Sequence, residues 1–212
     1  MDPRKQRTLD RLLSAAEQLF RDRSVDEVTV EEIAERAGVA VGSLYNNFGS
    51  KAGLHAALVE RALEADRQHM DRAYTGTRTP LAQIYAAAEE YLQLYLDHPE
   101  YFRMLAFPRD PGHYPAGREL AERLAVTVDE QNRRLVDALV RGIDSGQLRR
   151  VDPRETATVL WAAWNGIISL GWRPDGLRQD EPQLRKLLAA ATDVVAHGLL
   201  HRPEPAADDP AN

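Results

Sequence analysis

Residues 29–51 read TVEEIAERAGVAVGSLYNNFGSK. Thr29-Val-Glu-Glu32 is an S/T-x-x-E capping box, which predicts a helix opening at Thr29. Ile33, Ala34 and Ala37 recur on the inner face of that helix, and Gly38 ends it, where a left-handed residue is cheapest for glycine. A second short helix follows over Val41–Phe48, with Leu44 and Phe48 turned inward. Two short helices parted by Gly38-Val39 predict helix–turn–helix geometry. With Leu44 and Phe48 as anchors, Val41, Gly42, Ser43, Tyr45, Asn46 and Asn47 face outward. They offer small residues for close approach, two hydroxyls, and two amides able to address base edges or phosphates from a major groove.

Working outward, the chain reads as helices and little else. Leu9, Leu12, Leu13, Ala16, Leu19 and Phe20 step by threes and fours, an amphipathic helix ahead of the quoted stretch. After it, Ser50 caps a long helix from Lys51 to the Tyr74–Gly76 region. Thr79-Pro80 starts the next, with proline at the first helical position, and Pro99 ends it. Pro99 to Phe107 reads as a short apolar helix, and Pro108 to Pro115 as a loop. A long helix then spans Ala116 to Ser145, closed by Gly146. Asp152-Pro153-Arg-Glu155 opens a helix that runs to Arg173-Pro174, and Asp180 with Gln183 opens the last one. Pro203 to Asn212 carries no large apolar residue and reads as disordered. The expected fold is all-α. Residues 1–50 would form a three-helix domain built on the helix–turn–helix, residues 51–202 a larger helical domain, and residues 203–212 a tail.

Composition narrows the function. The 212 residues contain no cysteine, which excludes disulfide scaffolds, thiolate metal sites and cysteine nucleophiles. A net charge of -6 excludes a globally basic nucleic-acid binder, but not a locally basic surface. Arg36 and Lys51 are the charged residues between Arg36 and Val59, with no acid among them, and Arg4, Lys5 and Arg7 near the N-terminus offer further phosphate contacts. The longest apolar stretch, Val159 to Gly171, is too short to span a bilayer, and the N-terminus shows no apolar signal region. A cytoplasmic protein with no membrane partner is expected.

TVEEIAERAGVAVGSLYNNFGSKAGL, residues 29–54, resembles the DNA-binding domain of the TetR family of bacterial regulators. The shared pattern is T-x-x-x-I-A-x-x-A-G-V-x-x-G-[ST]-L-Y-x-x-F-x-[ST]-K-x-x-L, and the likeness extends over roughly residues 8–58. The resemblance implies that Thr29 and Lys51 touch phosphate and that Tyr45 and Asn47 approach the DNA backbone. It also implies that Val41, Gly42, Ser43 and Asn46 face the bases. Ala40 stands where a serine often caps the second helix, Val41 where many members carry a polar or basic residue, and Asn47 where histidine is frequent.

Further along, Val159, Leu160, Trp161, Ala163, Trp164, Ile167, Ile168 and Leu170 make a helix apolar nearly all round, which needs cover on two sides. One cover is the core. The other is a second copy of the chain, joined by the last helix with its Ala189, Ala190 and Ala196, and the resemblance also implies this homodimer. Tyr85, Tyr91, Tyr95, Phe102, Met104, Trp161 and Trp164 form an aromatic set suited to a small-molecule pocket, with Asn165 as its polar handle. His197 and His201 stand four apart but lack a third ligand, and Asp66-x-x-His69 lacks a second half, so no metal and no cofactor is expected. The motifs G-x-S-x-G, G-x-x-x-x-G-K-[ST], H-E-x-x-H and G-x-G-x-x-G are all missing, which argues against an enzyme.

The expected function is a ligand-responsive regulator. It would repress from a palindromic double-stranded operator and be released by a small, largely apolar effector that tilts the Lys51–Tyr74 helix. The alternatives are a helical small-molecule-binding protein or enzyme without a DNA role, and a DNA-binding dimer without an effector.

Overall fold

The apolar steps of the first helix lock it against the quoted stretch. In the computed structural model, which describes residues 3–20, 23, 25–106 and 117–199, Leu12, Leu13 and Ala16 of α1 (Pro3–Phe20) are buried. Helix α1 packs on α2 (Val30–Ala37) and on α3 (Val41–Phe48), and α2 packs on α3. Val28, Ile33, Ala34, Ala37, Leu44, Leu54 and Leu58 are buried. The chain continues as α4 (Lys51–Ala73), α5 (Pro80–Asp97), α6 (Pro99–Ala106), α7 (Gly117–Asp144), α8 (Pro153–Ser169) and α9 (Glu181–Leu199). Single 3-10 turns stand at Val25–Glu27 and Leu170–Trp172. Among the described residues there is no strand, as an all-α fold requires. The expected loop at Pro108–Pro115 and tail at Pro203–Asn212 lie outside the described residues, as do Ala116 and His201.

Helix ends follow the sequence signals. Asp152 Oδ1 accepts from the backbone N–H groups of Arg154 and Glu155 at 2.8 and 3.0 Å, with Pro153 opening α8. Asp180 Oδ1 accepts from Gln183 N at 3.0 Å ahead of α9. Ser50 Oγ accepts from Gly53 N at 3.0 Å and caps α4.

Backbone contacts divide the chain into two compact units. The first comprises residues 1–69 and 93–130, the second residues 70–92 and 131–212. In the first, Arg61 of α4 pairs with Asp10 and Glu17 of α1 at 3.7 and 3.4 Å, and the Tyr101 hydroxyl of α6 donates to Glu17. In the second, α8 packs on α9. Leu160, Trp164 and Ile168 are buried there with Leu184, Leu188, Thr192 and Ala196. Trp164 Nε1 donates to Thr192 Oγ1 at 3.0 Å, which satisfies a polar group inside the seam.

Ala196, expected at the dimer seam, is core within one chain, as is Trp164. Trp164 and Ala196 are each 3% exposed, because the α8–α9 contact runs through them. The face left open instead carries Val159 at 57% exposure, Ala162 and Gly166 on α8, and Leu187, Ala190 and Val194 on α9, the last at 74%. The steps 159, 162, 166 and 187, 190, 194 each trace one helix face.

Candidate functional site

The helix–turn–helix is held by local bonds. Thr29 Oγ1 accepts from Glu32 N at 3.1 Å, and Glu32 Oε2 accepts from Thr29 N at 2.7 Å, so the capping box closes on both legs. Arg23 pairs with Glu32 at 2.8 Å. That pairing, helped by the Thr29 N–H, lowers the Glu32 carboxyl from 4.5 to about 2. The Thr29 hydroxyl thus faces its own cap. Gly38 adopts φ +61° and ends α2, with its N–H bonded back to Ala34 and Glu35. Arg11 of α1 reaches across and donates to Gly38 O at 3.2 Å.

Helix α3 starts without a side-chain cap, since Ala40 has nothing to offer. Leu44 is fully buried and anchors the helix, while Phe48 is only half-buried. Gly42, Tyr45 and Asn46 are exposed, Tyr45 by 51%, and no heavy atom approaches within 4 Å of where a Gly42 side chain would begin. Val41, Ser43 and Asn47 are half-buried. Asn47 turns its amide back along the helix and donates to Ser43 O at 2.7 Å. The eight residues of α3 contain no charge, so this surface reads by shape and neutral hydrogen bonding.

The joint between α3 and α4 is tight. A Cβ on Gly53 would lie 2.0 Å from the Phe48 carbonyl oxygen, so only glycine permits this approach. Lys51, which opens α4, turns its ammonium inward and donates to Val25 O and Val28 O at 2.9 and 3.0 Å. It thereby ties the segment before α2 to the start of α4. Neither Gly53, Arg11 nor the inward turn of Lys51 was among the sequence expectations. The 4, 7, 11 spacing of arginines on α1 was the one available signal for Arg11.

The aromatic candidates fall in both units. In the first, Tyr95 and Phe102 meet edge to face with ring centres 5.5 Å apart. In the second, Tyr91 donates to Asn165 Oδ1 at 2.9 Å, and both residues are buried. Among the described residues no acceptor meets Asn165 Nδ2, an open donor inside the second unit. Tyr85 donates to Asp193 Oδ1 at 2.8 Å, and burial, with that carboxylate, raises its phenol above the usual range. Trp161 is half-buried, and Trp164 is tied to Thr192. Among the described residues no group of three or more His, Cys, Asp or Glu could hold a metal ion. No helix of the described residues is long and apolar enough to cross a membrane.

A trihelical unit that presents an uncharged, partly exposed second helix beside a glycine turn defines a helix–turn–helix protein. Known proteins agree. A family model described as bacterial regulatory proteins, tetR family, matches residues 12–58, and one described as tetracyclin repressor-like, C-terminal domain, matches residues 84–195. The chain belongs to the TetR family. It is 30% identical over 157 residues to the HTH-type transcriptional regulator RutR of Escherichia coli K12, which covers 72% of this chain and 69% of that one. It is also 30% identical to the HTH-type transcriptional activator FasR of Mycolicibacterium smegmatis, over 68% of this chain and 63% of that one. Among solved structures, the complex of SmeT with triclosan matches with a TM-score of 0.67 at 25% identity, over 95% of this chain and 99% of that one. SmeT is described as the repressor of a Stenotrophomonas maltophilia multidrug efflux pump. The family and these relatives are DNA-binding transcriptional regulators, not enzymes.

Proposed function

We propose that the chain is a cytoplasmic, ligand-responsive repressor that binds a near-palindromic operator as a homodimer. The observation that carries this reading is α3, anchored by buried Leu44 while Gly42, Tyr45 and Asn46 stand exposed. Val41, Gly42, Ser43 and Asn46 address base edges. Tyr45 and Asn47 approach the backbone, and Thr29 sets the frame behind them. Residues 1–50 carry this task, and the rest of the helical chain binds effector and partner. The open face of Val159, Ala162, Gly166, Leu187, Ala190 and Val194 supports pairing with a second copy.

Two-fold symmetry then requires half-sites about 10 bp apart, or a multiple of that. The effector is a small, largely apolar molecule received in the second unit near Tyr91, with Asn165 Nδ2 as the polar contact. The triclosan bound to SmeT supports such chemistry. Release follows if the effector binds more tightly to a state whose recognition helices do not match the operator.

Selection of duplexes from random DNA by the purified protein, followed by footprinting, tests this. The expected result is a symmetric site protected on two half-sites. Asn46→Ala should then lose about 1–3 kcal/mol at particular base pairs and little elsewhere. Recovery of no preferred duplex would favour a helical small-molecule-binding protein instead. Fusion of the selected site to a reporter separates repression from activation, the role named for FasR.

A further inference from the structure

We propose that the second unit selects its effector by charge and by hydrogen-bond direction. The guest is an uncharged molecule whose carbonyl-type oxygen accepts from Asn165 Nδ2, with Tyr91 as the residue that sets the amide. This rests on the ligand-responsive reading above. Apart from Tyr91 and Trp164, the buried polar side chains among the described residues of the second unit are Gln83, Asn165 and Thr192, and none carries a charge. The first unit differs, since it buries His55, Asp66, His69 and Glu100.

Two of the three are served at both ends. Gln83 donates to Thr75 O at 2.8 Å and accepts from Arg141 at 2.6 Å. Thr192 donates to Leu188 O at 2.9 Å and accepts from Trp164 Nε1 at 3.0 Å. Asn165 is served at one end: its Oδ1 accepts from the Tyr91 hydroxyl at 2.9 Å, while Nδ2 meets no acceptor. A buried donor left open costs more than a made bond gains, so a fold that retains one has use for an acceptor from outside the chain. Gln131, Asn132 and Gln147 of the same unit also hold open carbonyl oxygens, but these residues are only half-buried and can turn to water. Asn165, at 5% exposure, cannot.

Helix α5 supplies the place and the direction. Ile84, Ala87, Ala88 and Tyr91 step by threes and fours along one face, and all four are buried. The two alanines put short side chains one turn before the long tyrosine, and the guest is assigned the space over them, beside Asn165. Because Tyr91 gives its proton to Oδ1, the end of the amide left over is a donor, so the guest must accept. The acids of α5 in this unit are already taken up, Glu89 by Arg185 and Glu90 by Arg72, and Asp193 of α9 accepts from Tyr85. An ion entering here would leave water without a counter-charge to meet it, a cost that apolar contacts do not repay.

The test titrates the whole chain with probes built on one diphenyl frame: benzophenone as acceptor, diphenylamine as donor, diphenylmethane as neither, benzhydrylamine as cation and diphenylacetate as anion. Calorimetry reads binding, and release of the selected duplex reads the response. Benzophenone should bind, diphenylamine and diphenylmethane about tenfold more weakly, and the two ions more weakly still. Asn165→Leu should lower benzophenone affinity about tenfold and leave diphenylmethane unchanged, which also shows that the site survives the substitution. Tyr91→Phe frees the amide to turn, so the preference for benzophenone over diphenylamine should fall toward one, a change that a merely structural role for Tyr91 would not produce. Equal wild-type affinity for benzophenone and diphenylmethane, tighter binding of either ion, or no binding of benzophenone overturns the assignment; release of the duplex by an ion would do so while leaving ligand-responsive regulation standing. Benzophenone bound with the expected selectivity while the duplex is retained would uphold the site and overturn the ligand response instead.

Discussion

The helix–turn–helix and the α8–α9 seam solve the same problem at opposite ranges. In the first, most of the bonds that fix the site join near neighbours, Thr29 with Glu32, Gly38 with Ala34, Asn47 with Ser43 and Ser50 with Gly53, while Lys51–Val25 and Arg11–Gly38 reach 26 and 27 residues. Across the α8–α9 seam Trp164–Thr192 joins residues 28 apart, and from α5 the bonds Tyr91–Asn165 to α8 and Tyr85–Asp193 to α9 join residues 74 and 108 apart. A reading head that must meet a fixed DNA geometry is built from a local code that sets itself. The second unit is built instead from polar pairs far apart in the sequence. The contrast also predicts where damage spreads. Breaking the seam should unfold a unit, while altering the outer face of α3 should cost only DNA affinity.

The largest effect is expected from Trp164→Arg. The tryptophan is 3% exposed and bonded to Thr192. Losing a large buried aromatic costs about 3–5 kcal/mol, and stranding a charge in its place adds several more. Against a typical total stability of about 5–15 kcal/mol, the folded state should be lost. Near-UV circular dichroism should show no native fold. A monodisperse, folded variant in sedimentation would mean that the α8–α9 packing does not support the fold.

Within α3 the same comparison can be made one residue apart. Leu44→Ala removes a fully buried anchor and should cost about 2–5 kcal/mol of stability together with DNA binding. Tyr45→Ala, on the exposed side, should move stability by no more than about 0.5 kcal/mol yet still weaken DNA binding. Chemical denaturation beside a binding titration separates the two. Equal destabilisation by both would mean that α3 is covered on both faces.

This division of range explains what the sequence revealed. The capping boxes, the glycine turn, the proline starts and the Leu44 anchor are patterns within a few residues, and each appears where it was expected. The Lys51 ammonium meets carbonyls 26 and 23 residues upstream, a contact no spacing announces because carbonyls carry no residue signature. A helix apolar all round does not say which side its own chain covers, so spacing could not assign Trp164 to the core or set Ala196 apart from the partner seam. The Tyr91–Asn165 bond was foreseen only as a need, since a buried asparagine must find some partner while spacing cannot name it.

A third test weighs one polar bond from each region. Thr192→Val keeps the shape of the side chain but leaves Trp164 Nε1 buried without its acceptor, a cost of about 1–3 kcal/mol. Thr29→Ala removes a cap whose lost donors can turn to water, and should cost about 1 kcal/mol. Urea unfolding of the two variants should rank them in that order. The reverse ranking would place the more demanding polar bond in the helix–turn–helix.

The smallest effect concerns acid. Arg23 and the Thr29 N–H hold the Glu32 carboxyl down at about 2, against an ordinary 4.5. A carboxyl lowered on folding stabilises the folded chain fully above its unfolded value, and that stabilisation drains away as pH falls through the folded value. The window therefore runs from about pH 4.5 down to about pH 2. Glu32→Gln cannot titrate, so its melting temperature should lie below that of the wild-type protein by a constant gap above pH 4.5. The gap should narrow steadily toward pH 2. Because the pair is exposed, salt should shrink the gap as well. Amide exchange at residues 29–33 should report the same window locally, with protection of the first turn of α2 fading in the wild-type protein before the core of α1 opens. A gap that does not change between pH 4.5 and pH 2 would mean that the Arg23–Glu32 pair does not hold the first turn of α2 in solution.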